Sequence, residues 1–383
     1  IGNKTVINVV LAEETMGIEE VVAVGYGTVR KSDLTGSVAS INMTEISDKP
    51  VTSFGQALQG KAAGMIIINT NGEPGSDMIM RIRGGNSIKN SNRPLIVVDG
   101  IPSDIDISSI APSDIQSIDI LKDASSTAIY GSRGANGVVM VTTKRGVEGK
   151  TAVEYSYYKG FQDVRKQIPM LNGREYAELV NERRIISGLE ERFSPQFLRD
   201  STAGTDWQNE VFRTAPIDNH QISVNGGSQN NKYSLSFGYF DQEGIVINSN
   251  FKRYTLRMNF DMKINNFIKL LPSVSLGRTM QNSNIMDESV VYDALLTSPL
   301  ELPSEDGDYM IDPITGEERI DRSTPVKKAK ERINNTKKNF TQISLPLFFE
   351  IIPDLNLMIR FGATFNQSRS EEHTSELQSR QSI

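Results

Sequence analysis

Histidine is the first residue type to inspect for catalysis, because its side chain titrates near neutral pH. The chain has two histidines, of which His220 opens an alternating stretch and His373 lies in a polar tail. Acyl-transfer chemistry requires a nucleophile and a base that a third group orients, and no nucleophile motif accompanies His220. The Gly25-Tyr26-Gly27 run lacks the third glycine and the following helix of a phosphate-binding loop. These residues predict neither an enzyme nor a bound cofactor.

An acidic run offers oxygen atoms that suit calcium. It comprises Glu305, Asp306, Asp308 and Asp312. The run lacks the regular oxygen spacing and the terminal glutamate of an EF-hand. We therefore expect an exposed external loop here and no metal site.

Charged residues also concentrate between positions 81 and 144, and two interpretations of them remain open. The group consists of Arg81, Arg83, Lys122, Asp123, Arg133 and Lys144. It forms an anion site if the basic side chains converge on one ligand. Alternatively, these side chains bond across their own domain and against a surrounding wall, because structural ion-pair networks also cluster charge.

The bulk composition narrows the class of protein. With 383 residues the chain is long enough for two or three ordinary domains. Its formal net charge of −6 does not suggest a nucleic-acid binder, and the absence of cysteine excludes disulfides and thiolate metal sites. No run of about 18 apolar residues occurs, so the sequence predicts no transmembrane helix. The sequence remains compatible with barrel strands, because alternating apolar and polar residues give a strand a low mean hydropathy.

The stretch from Phe54 to Arg145 has the pattern of a compact α+β domain with short strands. Ser53 to Gly64 predicts a helix with an N-terminal cap and a terminating glycine. The strands are predicted at 65–70, 79–83, 95–98, 118–121 and 138–143. Asp99-Gly100 is a signal for a tight hairpin turn.

Long alternating segments follow Gly149 and predict membrane-spanning β-strands. The seven segments lie at 151–162, 220–226, 232–241, 253–263, 267–280, 340–351 and 355–365. Each comes near the roughly 9–11 residues that a tilted strand needs to cross a bilayer. In 232–241, one parity is apolar and aromatic, whereas the other is mostly small and polar. This alternation suits lipid on one face and a plugged lumen on the other.

The connections between these segments alternate in length. Short turns at 226–231, 265–266 and 353–354 alternate with long links at 165–217, 242–250 and 281–339. Short periplasmic turns and long external loops alternate in this way in outer-membrane barrels. We predict an α+β plug domain followed by an all-β antiparallel transmembrane barrel. The barrel is truncated to about seven strands, since a plugged barrel needs roughly 22.

Both ends of the chain have the pattern of a fragment. Residues 1–16 look like the last strand of a domain that begins upstream, and no signal peptide is visible. Residues 368–383 are polar, break the strand pattern and are similar to a translated sequencing-adapter sequence. We expect a linker at 17–29, the plug at 30–148, the partial barrel at 149–367 and a non-native tail at 368–383.

The segment 19–28 joins an acidic pair, an extended apolar run and a glycine-rich hinge. Glu19 and Glu20 precede the run from Val21 to Val24. One interpretation is an edge strand followed by a turn. The other is a flexible segment that adds a strand to a partner's sheet.

These motifs, in this order, resemble the SusC/RagA-like family of TonB-linked outer-membrane receptors of Bacteroidetes-type bacteria. The plug resemblance is carried by Leu58, Gly60, Arg81, Arg83, Gly84, Asp99, Gly100, Tyr130, Gly131, Arg133, Gly134, Asn136 and Gly137. Residues 1–16 are similar to the end of the family's carboxypeptidase-regulatory-like β-domain. The segment 19–28 is similar to its TonB box. The resemblance thus implies that TonB contacts Glu19, Glu20, Val21, Val22, Ala23 and Val24.

The resemblance implies active import of a large nutrient, a glycan or a peptide, by a multi-pass protein of the bacterial outer membrane. It implies two protein partners besides membrane lipid: TonB with its inner-membrane energising complex, and a SusD-like surface lipoprotein. No nucleic acid is expected. The alternative function is a passive or adhesive outer-membrane β-protein without energised transport. Trp207, Tyr292 and Tyr309 are loop aromatics that either stack on sugars or simply pack, so the substrate-binding residues stay unknown.

Overall fold

The computed structural model describes residues 21–24, 27–30, 38–43, 54–69, 71–76, 78–84, 91–103, 107–200, 204–283, 290–352 and 355–373. At the start of this part, β1 (Val21–Val24) and β2 (Gly27–Arg30) form a short antiparallel hairpin. The strand predicted in 1–16 and the acidic pair Glu19 and Glu20 lie outside the described residues.

The region from Val38 to Thr143 forms an α+β unit, which we call the plug. Its elements are β3 (Val38–Asn42), α1 (Phe54–Leu58), β4 (Met65–Asn69), β5 (Met78–Ile82), β6 (Leu95–Val98), β7 (Ile101–Ser103), β8 (Ile115–Leu121), α2 (Ala124–Thr127) and β9 (Val138–Thr143). One sheet has the order β3-β8-β9-β6-β7, with β6 parallel to β9 and the other neighbours antiparallel. β4 and β5 form a separate antiparallel pair. The predicted α+β fold with short strands is confirmed.

The core of the plug lies on the central strands of its sheet. The side chains there that are at most 1% exposed are Val97, Val98, Ile115, Ile118, Ile120, Leu121, Val138, Val139 and Val141. Each such burial stabilises the fold by roughly 1.5–3 kcal/mol relative to exposure. A strand that is covered on both faces needs a continuous apolar run, so these strands can be predicted from the sequence.

The remaining elements follow Thr143. In chain order they are β10 (Gly149–Gln162), α3 (Gly173–Ile186), α4 (Pro195–Asp200), α5 (Trp207–Val211), β11 (Ala215–Gly227), β12 (Asn231–Glu243), β13 (Asn250–Lys263), β14 (Ile268–Leu270), β15 (Ser273–Asn282), α6 (Val290–Leu296), β16 (Leu302–Pro303), β17 (Tyr309–Ile311), β18 (Glu318–Ser323), α7 (Pro325–Glu331), β19 (Ile333–Ile352) and β20 (Leu355–His373). Strands β10 to β15 together with β19 and β20 make one antiparallel sheet, which we call the wall. Strands β16 to β18 make a small separate sheet.

The seven predicted strands are present in the wall, and one of them is broken. β14 and β15 lie along one line, because both pair with β13 on one side and with β19 on the other. Leu271 and Pro272 separate them, and proline has no N–H to give to a ladder. The strand predicted at 267–280 is therefore two pieces of one strand.

Burial alternates along β13, in the way the sequence predicts for a wall strand. On β13, Arg253, Arg257 and Asn259 are at most 6% exposed, whereas Phe260 is 38% exposed. The buried parity is the polar one, and it faces the plug. The apolar parity faces away, as in a sheet with lipid outside and a plugged lumen inside.

The long connections carry the helices, at the end of the wall that we call the loop end. Helices from two of these connections share an apolar cluster of Trp207, Val211, Val246, Val290, Ala294 and Ala329. The longest helix, α3, begins with a capping box in which Asn172 and Glu175 satisfy each other's backbone N–H groups. No helix in the described part of the chain is long and apolar enough to cross a membrane.

The last strand corrects one prediction. The sequence predicts that the strand pattern breaks after Gln367, but β20 continues to His373, which pairs with Ile333. Ladder bonds join backbone groups, so polar side chains do not end a strand whose neighbour, β19, is equally long. Residues 374–383 lie outside the described residues.

Candidate functional site: the interface between plug and wall

Strand β1 contains four of the six residues predicted to contact TonB. Val21 pairs with Arg30 and Val24 pairs with Gly27 across the hairpin. In the described part of the chain, β1 and β2 pair only with each other. A two-stranded hairpin of this length is marginally stable at best, and each of its strands has an edge that can accept a further strand.

The β6–β7 turn places Asp99 against the wall. Asp99 and Gly100 have positive φ angles of 48° and 79°, which is the geometry of the tight hairpin that the sequence predicts. The Asp99 carboxylate accepts bonds from the N–H and the hydroxyl of Thr143 at 3.0 and 2.8 Å. Its Oδ2 also lies 3.0 Å from Nη1 of Arg257 on β13.

This ion pair is buried, since the two side chains are only 6% and 8% exposed. Nε of Arg257 has no hydrogen-bond partner among the residues that the structure describes. Asn259 lies two residues along the same face of β13 and donates to the Lys144 carbonyl at 2.6 Å. One strand of the wall thus holds the last strand of the plug and its β6–β7 turn together.

A second contact centres on Asp114, which is 6% exposed. Its Oδ1 accepts bonds from Gln221 Nε2 at 3.1 Å and from Ser236 Oγ at 2.8 Å. Nearby, Arg253 Nη1 donates to the Ser108 carbonyl at 2.8 Å, and its guanidinium lies 5.0 Å from the ring centre of Phe240. Strands β11, β12 and β13 therefore each give a side chain to this part of the plug.

A third contact is formed by the turn before β5. Ser283 Oγ lies 2.7 Å from both carboxylate oxygens of Glu73, and Gln281 Nε2 donates to the Pro74 carbonyl at 2.9 Å. At the end of β6, Gln342 of β19 donates to the Val98 carbonyl at 3.2 Å. The contacts described here between the wall and the plug are therefore largely hydrogen bonds and ion pairs.

The free energy needed to separate two polar surfaces differs from the free energy needed to open an apolar core. Neutral hydrogen bonds exchange with water when the surfaces part, so each contributes only about 0.5–1.5 kcal/mol. The bonds to the Asp114 and Glu73 carboxylates and from the Arg253 guanidinium are charge-assisted, and each contributes about 1.5–3 kcal/mol. Separating the buried Asp99–Arg257 pair is also costly, since either partner left alone and dry is strongly destabilising. Phe340 of β19 also lies in the apolar cluster of the plug, so the contacts between plug and wall are mostly but not wholly polar.

Four of the plug residues that carry the family resemblance have a role in packing or in hydrogen bonding. Leu58 is 1% exposed in the core. Gly137 has a φ of 87°, and a Cβ there would lie 2.8 Å from Ile82 Cδ1. Gly100 faces Arg360 of β20 so closely that a Cβ would overlap the guanidinium. Asn136 Nδ2 donates to the Ser91 carbonyl at 2.9 Å.

The basic cluster satisfies much of its charge inside the plug. Arg83 forms an ion pair with Asp123, and Lys122 Nζ donates to the Ala63 carbonyl. Arg81 and Arg133 are exposed. Lys144 meets the wall through its backbone carbonyl, as described above. The cluster does not converge on one point, which favours the interpretation of bonds across the domain and against the wall.

His220 lies among tyrosines on the outward face of the wall. Its Nδ1 is 2.8 Å from the Tyr155 hydroxyl, and its ring centre is 4.6 Å from that of Tyr157 and 6.0 Å from that of Tyr239. These contacts place it in an aromatic belt of the kind found at membrane interfaces.

Two carboxylates of the predicted acidic loop cap turns. Asp306 Oδ1 accepts from Ser304 Oγ at 2.6 Å, and Asp312 Oδ1 accepts from the N–H of Ile314 at 2.8 Å. These donors hold the pKa of both carboxyls below its ordinary value. No group of three or more potential metal ligands comes together among the residues that the structure covers.

The three loop aromatics have different environments. Trp207 is 3% exposed, and its Nε1 donates to the Ser298 carbonyl at 3.0 Å, so it packs in the helical cluster. Lys327 covers the ring of Tyr309 at 3.6 Å from its centre. Tyr292 is exposed.

The wall side chains that bond to the plug were not identified from the sequence. Arg253, Arg257 and Asn259 stand on one parity of a strand whose other parity is apolar. Charged residues on the lumen parity of a barrel strand were the available signal, because a charge there needs a partner inside.

Comparison with known proteins agrees with this geometry. A family model described as TonB-dependent Receptor Plug Domain matches residues 30–138. TonB-dependent receptor P3 of Formosa agariphila is 39% identical over 372 residues, which are 94% of this chain and 35% of the relative. TonB-dependent receptor SusC of Bacteroides thetaiotaomicron is 42% identical over 262 residues, which are 66% of this chain and 25% of the relative.

Solved structures show the same architecture. The RagAB peptide importer in its closed-closed state has a TM-score of 0.76 at 27% identity, over 88% of this chain and 41% of that chain. The unliganded ferric citrate transporter FecA shares the fold, with a TM-score of 0.55 at 13% identity over 90% of this chain and 41% of that chain. The chain spans between 25% and 38% of the length of the curated relatives it matches.

A plug held on the polar face of an antiparallel wall is the architecture of a TonB-dependent receptor, a class of outer-membrane protein. Within that class, this chain belongs to the SusC/RagA-like family.

Proposed function

We propose that the whole protein imports a large nutrient, a glycan or a peptide, across the outer membrane, with energy that TonB transmits. The observation that supports this proposal is the polar interface between the plug and the wall, combined with the extended strand β1 ahead of the plug. A plug that must move to admit cargo needs contacts that water can replace. The similar RagAB complex is a peptide importer, and this supports the size of cargo proposed.

In the proposed mechanism, TonB pairs with the strand β1 through main-chain hydrogen bonds. Glu19 and Glu20, which precede β1 in the sequence, belong to the same proposed contact. Tension on this segment breaks plug–wall bonds such as Ser236–Asp114 and displaces or remodels part of the plug. A SusD-like lipoprotein delivers the cargo from outside.

Passive flow is the weaker hypothesis. A passive pore needs an open lumen, but the plug bonds to wall strands from β11 to β19. Loss of uptake by the full-length protein when TonB is deleted would support energised import. Unchanged uptake in that strain would favour the passive alternative.

The role of β1 is tested by a proline substitution in the full-length protein. Val22→Pro removes a backbone N–H from β1 and breaks any ladder that TonB forms there. We expect uptake to fall to background, while the amount of folded protein in the outer membrane stays the same. Uptake is measured with labelled cargo, and folding by heat-modifiable migration on a gel.

Val29→Pro is the matched control, because Val29 is the residue that pairs with Val22 in the hairpin. If TonB recognises β1 itself, this control damages the hairpin equally but leaves uptake largely intact. Normal uptake by Val22→Pro would refute the assignment of β1. Equal loss in both variants would show that the hairpin, and not strand pairing with TonB, is what uptake requires.

A further inference from the structure

The outward face of the wall changes character toward its loop end. Register pairs define an apolar row of Val153, Val224, Leu235, Met258, Val274, Ile343 and Ala363. Six residues further toward the loop end, the row is Lys159, Asp218, Asp241, Lys252, Met280, Lys337 and Arg369. The row immediately below the charged one includes the aromatic belt and Arg278, which pairs with Tyr254. This is the level at which a membrane-spanning sheet passes from hydrocarbon to headgroups.

Most outward cations at this level have a carboxylate of their own. Lys159 lies 3.5 Å from Asp218, and Lys252 lies 2.9 Å from Asp241. Arg369, in the segment that we predict to be non-native, lies 2.7 Å from Glu371.

Arg278 and Lys337 differ from these. Neither forms an ion pair with any residue in the part of the chain that the structure describes. Arg278 is exposed on β15, and Lys337 is half-buried on the neighbouring strand β19.

The two unpaired cations are close enough to share one ligand. Arg278 pairs with Asn339, and Lys337 pairs with Met280, so the two cations are diagonal neighbours on adjacent strands. Diagonal neighbours stand roughly 7–8 Å apart at their backbones, within reach of long side chains. Both strands have the outward parity that carries Val274, Leu276 and Ile343 nearer the membrane centre.

An unpaired cation facing lipid is costly near the hydrocarbon, by about 2.5–3.5 kcal/mol at the bilayer centre on insertion scales. An anion from the headgroup layer relieves that cost. Phosphate suits the pair, because guanidinium and ammonium groups are both strong phosphate donors.

We propose that Arg278 and Lys337 bind a phosphate group of a phosphorylated glycolipid of the outer leaflet, whose acyl chains lie along the apolar rows beneath. This inference rests on the outer-membrane location in the proposed function, but not on transport. The bound lipid fixes the height of β15 and β19 in the membrane, directly below the long connection that carries α6 and α7.

Native mass spectrometry of the full-length protein in detergent tests the proposal, with diphosphorylated lipid A as the probe. The double variant Arg278→Gln/Lys337→Gln should bind lipid A at least about tenfold more weakly, as expected for losing charge-assisted hydrogen bonds. Lys159→Gln is the matched control, because that cation stands at the same level but already has Asp218. Dephosphorylated lipid A should bind wild-type protein no better than intact lipid A binds the double variant.

Two further measurements make the result unambiguous. Arg278→Lys/Lys337→Arg retains both charges and should keep lipid A bound. Heat-modifiable migration establishes that each variant is folded. Equal binding of lipid A by the wild type and the folded Gln variant would overturn the proposal, as would equal binding of dephosphorylated lipid A. Binding that survives while uptake is absent would count against the proposed function alone.

Discussion

Asp99 joins the β6–β7 turn of the plug to the wall through its buried ion pair with Arg257. It accepts two bonds from Thr143 and one from Arg257 while almost fully buried. Its turn is held by backbone geometry that Gly100 permits without strain. Nε of Arg257 forms no hydrogen bond with any residue that the structure describes, so Asp99 is an important partner of this guanidinium.

Asp99→Ala should therefore destabilise the full-length protein by about 3–5 kcal/mol, because it leaves Arg257 buried and unpaired. Arg257→Met in the same background should recover part of that loss, since it removes the stranded charge. The free energy of unfolding in urea measures both effects. Additive losses in the double variant would contradict a direct coupling between the two side chains.

Asp312 predicts a pH dependence in the external loop. Donation from the N–H groups of Ile314 and Thr315 lowers its carboxyl pKa. A lowered folded-state pKa stabilises the turn above the unfolded value near 3.9, and that stability is lost as pH falls through the folded pKa. We expect hydrogen-exchange protection of these two amides to be constant near neutral pH and to decline only below about pH 4.

Asp312→Asn is the control for this titration. Its amide oxygen can accept the same two bonds but carries no charge, so protection in this variant should not depend on pH over the same range. A parallel decline in both proteins would assign the effect to another group.

Among the elements, the link from β9 to β10 runs close against the backbone of the wall. Gly146 passes so close to β12 that a Cβ would lie 2.4 Å from the backbone nitrogen of Tyr233 and 2.6 Å from its carbonyl oxygen. Backbone atoms of a paired strand cannot move aside as a flexible side chain can. This glycine therefore sets how closely the end of the plug approaches the wall.

Gly146→Ala should cost roughly 1–3 kcal/mol of unfolding free energy, the usual cost of overpacking. Gly160→Ala on β10 is the matched control, because nothing lies within 4 Å of a Cβ there. We expect that control to stay within about 0.5 kcal/mol of wild type. Urea unfolding of the full-length variants measures the difference, and equal stabilities would show that the link shifts freely.

At the scale of the whole molecule, the question is whether the plug parts from the wall during import. This chain has no cysteine, so it contributes none that could compete with an engineered pair. Ser236→Cys with Asp114→Cys replaces two oxygens 2.8 Å apart, one on the wall and one on the plug. We expect this disulfide to block uptake by the full-length protein and reduction to restore it.

Ser40→Cys with Asp119→Cys is the matched control inside the plug. These residues are opposite each other on β3 and β8, with their side-chain oxygens 2.5 Å apart. A plug that moves as a unit tolerates this second disulfide, whereas a plug that unfolds through β3 does not. Full uptake with the wall-to-plug disulfide formed would exclude displacement at Asp114.

Local patterns in the sequence were sufficient for the fold. Each pattern is a property of a single strand. The alternation along 232–241 indicates a sheet with one face in a polar environment, whereas the continuous apolar run at 95–98 indicates a strand that is covered on both faces. The hairpin at Asp99-Gly100 was predictable for the same reason, since its φ angles depend on two adjacent residues.

The tertiary structure alone decided which residues join the plug to the wall. Asp99 and Arg257 are separated by 158 residues, and no local pattern pairs them. Their contact depends on which wall strand passes the β6–β7 turn and on its register. The same holds for the length of β20, which a paired neighbour sets, and for the burial of Trp207, which helices from distant connections create. Periodicity determines the face on which a side chain lies, but only the packing of the two sheets determines what that face meets.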